Sequence, residues 1–242
     1  KSEVTSGKYG MTQLKLKPNF EVYTMSPQDF SNTYHNISQN SSYKTNKQCD
    51  DGWRQYACKR LGFTEFKTVT IIDPGVKVEK GSPAYEEGVA QDHFLKFLDG
   101  ELFQGQVWPG WCHFPDFRKA ATRAWWGSKN AGLRAMGIDG FWNDMNEPAL
   151  WGKEMPFTVE GIKSLHNVFA LLMAQATFEG LVKDNPKLRP FIVTRAGWAG
   201  IQRFAAVWTG DNSASYDDLA LSIRTNIGLG LSGVPFVGCD VG

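Results

Sequence analysis

The stretch Gly140–Pro148, GFWNDMNEP, decides how the rest of this sequence is interpreted. Its first half is short and apolar, which predicts a buried strand. Its second half is polar and ends at a proline, which predicts that the strand stops there. Trp142 and Asp144 are two positions apart and therefore lie on the same face of a strand. The pattern places a carboxylate at a strand end, beside an aromatic ring.

The same arrangement recurs along the chain from Phe66 onward, where short apolar runs alternate with longer amphipathic ones. The runs predicted as strands are Thr68–Asp73, Gly140–Met145, Phe191–Thr194, Ala205–Thr209 and Val234–Val237. Helices are predicted for Pro115–Met136 and Gly161–Lys183, and after Ser215, which can cap a helix. Apolar strands that alternate with helices are typical of an α/β protein with a parallel sheet.

Polar and charged side chains gather at or just after the ends of the predicted strands. They are Asp73, Asp144 with Asn146 and Glu147, Arg195, Asp211 and Asp240. Carboxylates at the C-terminal ends of parallel strands are typical of the active face of a (β/α)8 TIM-type barrel. A doubly wound sheet also binds ligands at strand ends, but no glycine-rich phosphate-binding loop follows any of these strands. We therefore predict the barrel.

Two strand-end carboxylates, Asp144 and Asp211, suit glycoside hydrolysis, in which one attacks or stabilises and the other donates a proton. Each position also has a purely structural interpretation. A cap for a following helix would fit Asn146 or Glu147, and an Asx turn would fit Asp211. Arg195 can orient an anion or a sugar hydroxyl, or can simply pair with an acid. The residues alone leave these alternatives open.

Composition excludes several classes of function. The 242 residues include 26 basic and 25 acidic side chains, a formal net charge of +1, so neither a nucleic acid nor an anionic membrane is an expected partner. No apolar run approaches the roughly 20 residues of a spanning helix. The four histidines are scattered and no C-x-x-C occurs, so we expect no metal site. Cys49 and Cys58 can pair, whereas Cys112 and Cys239 are predicted to be core residues.

Residues 1–65 differ in texture from the rest. They are polar and weakly patterned, and we predict an irregular N-terminal segment with a weak strand near Phe20–Met25. The stretch Ser31–Gln48 consists mostly of Ser, Asn, Thr and Gln and is predicted to be a long loop or a disordered segment. The chain is therefore divided into residues 1–65 and residues 66–242.

Three segments resemble the signature blocks of glycoside hydrolase family 31, the α-glucosidase and α-xylosidase family. They are Val107–Phe117 (VWPGWCHFPDF), Gly140–Pro148 and Arg189–Gly242, and Ile71–Gly88 is similar to the family as well. The likeness covers residues 66–242. It implies a catalytic (β/α)8 barrel that acts on an oligosaccharide or α-glucoside by a retaining mechanism, without metal or organic cofactor.

The resemblance also implies a role for individual residues. Asp144 matches the family's nucleophile and Asp211 its general acid/base. The positions implied to bind or support the sugar are Asp73, Trp108, Trp142, Met145, Arg195, Trp208 and Asp240. In a retaining mechanism the two catalytic carboxyl groups lie about 5–5.5 Å apart. Arg195 nearby would favour the ionised form of the nucleophile.

The sequence also departs from the family. We find no Asp-x-Asp-Tyr-Met segment in residues 1–65, and the chain stops at Cys239-Asp-Val-Gly242, where the family continues. The order of the motifs corresponds to roughly strands three to seven, so we expect an incomplete or rearranged barrel. An open barrel exposes strand edges, which favours self-association or contact with flanking domains.

The expected function is that of a retaining α-glucosidase that releases glucose from the non-reducing end of α-glucosides. An α-xylosidase, a transglycosylase and an α-glucan lyase of the same family remain alternatives, because they share both carboxylate blocks. An alternative of another class is a non-catalytic carbohydrate-binding fragment that keeps its tryptophans as stacking surfaces. The sequence predicts no cellular compartment.

Overall fold

The structure is a computed structural model that describes residues 3–6, 12–16 and 20–24 as strands and, in full, residues 69–151, 156 and 158–240. The chain divides into two compact units, residues 1–67 and residues 68–242. Cys49, Cys58 and the stretch Ser31–Gln48 lie outside the described residues.

The first unit contains a three-stranded antiparallel sheet. Its strands are β1 (Glu3–Ser6), β2 (Thr12–Leu16) and β3 (Phe20–Thr24), in the order β1-β2-β3. The strand predicted near Phe20–Met25 is confirmed, but the expectation that the remaining residues are irregular is wrong for β1 and β2. Polar and apolar residues alternate along Thr12–Leu16, which is the period of a strand, and this run is short enough to be overlooked.

The second unit is built on a five-stranded parallel sheet. Its strands are β4 (Val69–Ile72), β8 (Gly140–Asn143), β9 (Phe191–Thr194), β10 (Ala206–Trp208) and β11 (Val237–Gly238). Their spatial order, β4-β8-β9-β10-β11, is their order along the chain. A doubly wound sheet reverses its strand order at a switch point, and the described strands show no such reversal. The sheet is an arc of a barrel, and among the described residues nothing pairs with its outer edges at β4 and β11.

The predicted strands agree with the strands of this sheet, except that the last one lies further along the chain than predicted. The prediction for Phe191–Thr194 is confirmed to the residue, and those for β4, β8 and β10 are confirmed within two residues at each end. The last strand was predicted at Val234–Val237 but is found at Val237–Gly238. Pro235 has no N–H to donate, which removes one bond from any parallel ladder at the predicted position.

Helices α2 and α4 pack on the outer face of the sheet, where Leu133 and Leu181 contact the cluster of Phe141 and Ile192. The helices of the described residues are α1 (Pro83–Ala90), α2 (Ala120–Ala135), α3 (Ile162–Leu165), α4 (Phe169–Asp184) and α5 (Tyr216–Leu231), with single 3-10 turns at His166–Val168 and Ile201–Arg203. Ser215 caps α5 as predicted, because its Oγ accepts from the N–H of Asp218 at 3.1 Å. The predicted start of α2 at Pro115 is wrong, since Pro115 forms a β-bridge with Phe94.

A small antiparallel sheet is inserted between β4 and α2. Its strands are β5 (Val76–Lys77), β6 (Gly105–Val107) and β7 (Gly110–His113), in the order β5-β7-β6. Its inner side chains join the main core, in which Phe94, Phe114 and Phe117 are buried beneath α2. Cys112 is buried in this core as predicted, whereas Cys239 is only half-buried. The insertion carries Trp108 on the turn between β6 and β7.

The two faces of the parallel sheet differ. Phe141, Ile192 and Thr194 point to the helices and are buried. On the opposite face Val69, Ile71 and Phe191 are exposed, as expected where a barrel is not closed. This second face is the one that carries Trp142 and, two residues further, Asp144.

The segment Ile162–Asp184 is apolar and long enough to cross a membrane by length and composition alone, so the expectation that no run approaches this length is wrong. Its packing explains its composition. Phe169, Met173 and Ala176 are buried in the core that α4 shares with α2. The two helices are in closest contact at Gly127 and Gly180.

We expect Gly180→Ala to destabilise the protein by about 1–3 kcal/mol, because a Cβ at this position would lie 2.3 Å from the Cα of Gly127. The matched control is Gly132→Ala on the exposed side of α2, where an added Cβ meets nothing within 4 Å. That change should raise stability by about 0.5–1 kcal/mol, because alanine favours the helix. Urea unfolding of both variants measures the difference, and equal effects would contradict the close helix contact.

Candidate active site

Three charged side chains stand one residue beyond the ends of neighbouring strands. Asp73 follows β4, Asp144 follows β8 and Arg195 follows β9. The ladder continues into these positions, since the N–H of Asp144 donates to the carbonyl of Ile72 (3.2 Å) and the N–H of Arg195 to that of Asn143 (3.0 Å). The strand register therefore fixes the backbone of the site and brings the three side chains together at the C-terminal edge of the sheet.

Arg195 lies between the two carboxylates that the sequence singles out. Its Nη1 atom is 3.1 Å from Oδ1 of Asp144 and 3.9 Å from Oδ2 of Asp211. Because 3.1 Å and 3.9 Å add to 7.0 Å, these two oxygens lie no more than 7.0 Å apart. The separation of about 5–5.5 Å that a retaining mechanism requires falls within this bound.

The two carboxylates have opposite environments. Asp144 is 8% exposed, whereas the side chain of Asp211 is 85% exposed. The Oδ1 atom of Asp144 is buried and accepts no hydrogen bond in the part of the chain that the structure describes, although Nη1 of Arg195 is close by. The attraction is therefore one of charge at poor hydrogen-bond angles. Asp144 therefore keeps one oxygen without a hydrogen bond beside the guanidinium, whereas the carboxylate of Asp211 is open to solvent.

Glu147 binds the edge of the same guanidinium that carries Nε and Nη2. Its Oε1 accepts from Nε of Arg195 at 2.9 Å and its Oε2 accepts from Nη2 at 3.0 Å. Burial lowers the pKa of Arg195, but the hydrogen bonds and charge of Glu147, together with the charges of Asp144 and Asp211, outweigh it and raise the pKa above its ordinary value. Nη2 also donates to Sδ of Met145 at 3.2 Å.

Asn146 joins the loop after β8 to the loop after β9. Its Nδ2 donates to Oγ1 of Thr194 at 2.8 Å, and its Oδ1 accepts from the N–H of Ala196 at 3.1 Å. Asn146 is fully buried, so these bonds satisfy groups that water does not reach. No helix begins between Asp144 and Trp151, which rules out a capping role for Asn146 or Glu147 in that stretch.

Asp73 completes the charged cluster from the side of β4. Burial raises its pKa, the negative charge of Asp144 raises it further, and Arg195 offsets part of the shift. Cys112 lies close to it, and burial, helped by the charge of Asp73, raises the pKa of that thiol to about 11.

Two tryptophans predicted to line the pocket are in contact. Trp142 on β8 and Trp208 on β10 meet edge to face, with ring centroids 5.1 Å apart. Nε1 of Trp208 donates to Oδ1 of Asp240 at 2.9 Å, which links the end of β10 to the residues after β11. These three side chains form a wall that combines apolar ring surface with a carboxylate.

Trp108 is placed differently from the other predicted residues. It is 68% exposed and packs edge to face against Trp151, at a centroid distance of 5.1 Å. The N–H of Trp151 donates to the carbonyl of Gln106 at 2.9 Å, so the insertion is tied to the loop that carries Glu147. Trp108 and Trp151 therefore form an exposed aromatic pair, of which sequence analysis identified only the first member.

Within residues 69–151 and 158–240 no group of three or more His, Cys, Asp or Glu side chains is placed to hold a metal ion. Two of the histidines have structural hydrogen bonds. His93 is bonded to Thr122 and Gln91, and His113 to the carbonyl of Phe103.

The model of the glycosyl hydrolases family 31 TIM-barrel domain matches residues 33–242 of this sequence. The chain belongs to glycosyl hydrolase family 31. The described strands are accordingly part of a TIM barrel that is incomplete in the described residues, and the match begins before Phe66, where the resemblance was placed.

Alpha-glucosidase 2 of Bacillus thermoamyloliquefaciens is 44% identical over 186 residues, 73% of this chain and 24% of that protein. Alpha-glucosidase of Saccharolobus solfataricus is 36% identical over 206 residues, 73% of this chain and 29% of that protein. The chain thus spans about a quarter of the length of these curated relatives.

Solved structures of the family superimpose on about three quarters of this chain. A family 31 alpha-glucosidase from Bacteroides thetaiotaomicron gives a TM-score of 0.67 at 38% identity, over 78% of this chain and 32% of that one. The alpha subunit of glucosidase II gives 0.70 at 36% identity, over 76% of this chain and 21% of that one.

Sequence analysis placed most of the cluster but assigned no site role to three contributors, Asn146, Glu147 and Trp151. Asn146 and Glu147 were placed among the polar residues at the strand end, and a helix cap was the only role named for them. Because each acts on a residue 48 positions or more away, local sequence spacing carries no sign of it. An acidic residue so close to Asp144, together with a strand-end arginine, was the available signal.

We expect Asp73→Asn to raise thermal stability at pH 7, with a gain that shrinks as the pH falls through the raised folded pKa of Asp73 and is almost gone at pH 4, close to the pKa of an unfolded Asp. A carboxyl whose folded pKa is raised loses stability as pH rises through its unfolded pKa towards the folded one, and the amide removes this loss. Unfolding temperatures of the native protein and the variant at both pH values measure the effect. If the variant and the native protein differ in unfolding temperature by the same amount at both pH values, the unfavourable burial of charge at Asp73 is contradicted.

Proposed function

We propose that this chain carries the catalytic carboxylates of a retaining α-glucosidase, with Asp144 as nucleophile and Asp211 as general acid/base. The observation that supports it most is that Nη1 of Arg195 lies close to a carboxylate oxygen of each residue, so that these two oxygens are within 7.0 Å of each other. The substrate class rests on the similarity to alpha-glucosidases of this family.

In the first step an oxygen of Asp144 attacks the anomeric carbon while the bond from that carbon to the leaving oxygen breaks. Asp211 donates its proton to the leaving oxygen, and a covalent glycosyl-enzyme results. In the second step Asp211 accepts a proton from water, the water oxygen attacks the anomeric carbon, and Asp144 leaves as a carboxylate. Two displacements at one carbon return the α configuration.

The surroundings suit these roles. Asp144 attacks as a carboxylate, and the Nη1 atom of the Arg195 cation lies 3.1 Å from its Oδ1. Asp211 must regain a proton from the attacking water in each turnover, and its exposed side chain is open to water. We assign Trp142, Trp208 and Asp240 to the wall of the sugar site, Asp73 and Met145 to its floor, and Trp108 to its outer rim.

The test uses the protein made from the complete reading frame, assayed on maltose, isomaltose, an aryl α-glucoside and an aryl α-xyloside. We expect hydrolysis of the glucosides with α-glucose as the first anomer seen by NMR. Release of β-glucose would contradict the retaining mechanism, and preference for the xyloside would reassign the substrate. Longer glycosides or an anhydro-sugar as the main product would indicate a transglycosylase or a lyase. Absence of all turnover in a folded protein would favour the carbohydrate-binding alternative.

We expect Asp144→Ala to lower kcat on the aryl α-glucoside by about 10⁴-fold or more without a loss of fold, because the covalent step disappears. Asp211→Asn should lose about 10²–10⁴-fold on maltose but less on an aryl glucoside whose leaving group needs no proton. Asp217→Asn, on an exposed position in the first turn of α5, is the matched carboxyl-to-amide control and should leave activity unchanged. Unchanged turnover in Asp144→Ala would overturn the assignment.

A further inference from the structure

We propose that Glu147 is a positioning residue that holds the guanidinium of Arg195 so that Nη1 faces Asp144 and Asp211 together without binding either one fully. This inference deepens the proposed function and rests on its assignment of the two carboxylates. It gives a task to a side chain that neither attacks nor donates a proton.

The geometry fixes the plane of the guanidinium. Glu147 forms two parallel bonds, from Nε to Oε1 at 2.9 Å and from Nη2 to Oε2 at 3.0 Å. A guanidinium is planar, so a bidentate partner on the Nε and Nη2 edge determines where the third nitrogen points. Nη1 is then directed at 3.1 Å from Asp144 and 3.9 Å from Asp211.

The absence of a hydrogen bond between Arg195 and Asp144 is the second observation that supports this role for Glu147. Oδ1 of Asp144 lies 3.1 Å from Nη1 yet has no hydrogen-bond partner among the described residues. A guanidinium released from Glu147 could turn its two-nitrogen edge toward Asp144 and bind both carboxylate oxygens, which is the preferred geometry of such a pair. The nucleophile would then have to break two charge-assisted bonds before it attacks. Glu147 prevents this by occupying that edge.

Burial argues against a role in stability alone. The side chain of Glu147 is 40% exposed, whereas that of Arg195 is 15% exposed. Solvent screens the charge of the partly exposed Glu147, which lowers the contribution of this ion pair to folding. Removal of the Glu147 charge should therefore leave the fold intact and change mainly how Arg195 is oriented.

The backbone around Glu147 is itself restrained. Met145 adopts a positive φ of 52°, and its carbonyl accepts from the N–H of Ala149 at 3.0 Å. Asn146 is bonded to Thr194 and Ala196 on the strand that carries Arg195. Glu147 and Arg195 are thus presented to each other by two loops that are tied together, which is what a positioning contact needs.

The experiment is a double-mutant cycle with Glu147→Gln, Arg195→Ala and the double variant in the protein made from the complete reading frame. Glutamine keeps the size of the side chain but puts an amide N–H₂ where either Nε or Nη2 of Arg195 needs an acceptor. We expect Glu147→Gln to lower kcat on an aryl α-glucoside by about 10–100-fold with little change in KM. In the Arg195→Ala background it should have almost no further effect, because Glu147 acts through Arg195.

Glu101→Gln, at an exposed position remote in sequence from the cluster, is the matched control and should leave kcat unchanged. Unfolding temperatures of all variants show whether a loss of activity is a loss of fold. Additive losses in the cycle would overturn the proposal, because they would mean that Glu147 acts independently of Arg195.

Crystal structures of the native protein and of Glu147→Gln give a readout that needs no activity. We expect the guanidinium of Arg195 to turn toward Asp144 in the variant and to form at least one aligned hydrogen bond with it. An unmoved guanidinium would overturn the proposal. A native protein without turnover on any glycoside would defeat the proposed function instead, and the crystallographic comparison would still decide the role of Glu147.

Discussion

The site depends on one cation surrounded by more negative charge than it can neutralise. Arg195 faces Asp144, Glu147 and Asp211, and its charge also reaches Asp73. Carboxylates at this spacing repel one another, and the guanidinium between them offsets that repulsion. The three carboxylates that face it directly are used differently: one is nearly buried with an uncommitted oxygen, one binds the guanidinium edge and one is exposed to solvent. The proposed division into nucleophile, positioning residue and acid/base follows from these environments.

The register of the parallel strands determines where the charged side chains of this cluster lie. Parallel pairing aligns Ile72, Asn143 and Thr194 across three strands, so the next residue of each strand reaches the same edge of the sheet. The helices pack on the opposite face and bury Phe141 and Ile192. This leaves the other face free to carry Trp142 and Trp208. The packing of α2 on α4 thus supports the site at a distance, because it holds the strands whose ends carry the charges.

Sequence reasoning reached the strands and the strand-end residues because both depend on local pattern. Apolar runs that stop at a polar residue predicted β4, β8, β9 and β10 and named Asp73, Asp144, Arg195 and Asp211. The strand ladder places the first three side by side, and Asp211 reaches Arg195 from the loop after β10. Three kinds of feature were beyond its reach. Glu147 and Asn146 bind partners on another strand, Trp151 pairs with Trp108 across an inserted sheet, and the strands β1 and β2 rest on weak alternation. The last strand shifted because the apolar run contains Pro235, whose missing N–H outweighs its neighbours' strand propensity.

The most direct measurement of the central claim is the identity of the residue that becomes covalently glycosylated. A slowly hydrolysed 5-fluoro-glucosyl fluoride of the α series should trap the intermediate in the protein made from the complete reading frame, and peptide mass spectrometry locates the ester. The account predicts a single label on Asp144 and none in Asp144→Ala. A label on Asp73, Asp211 or Glu147, or a protein that turns over the reagent with inversion and no ester, would contradict it.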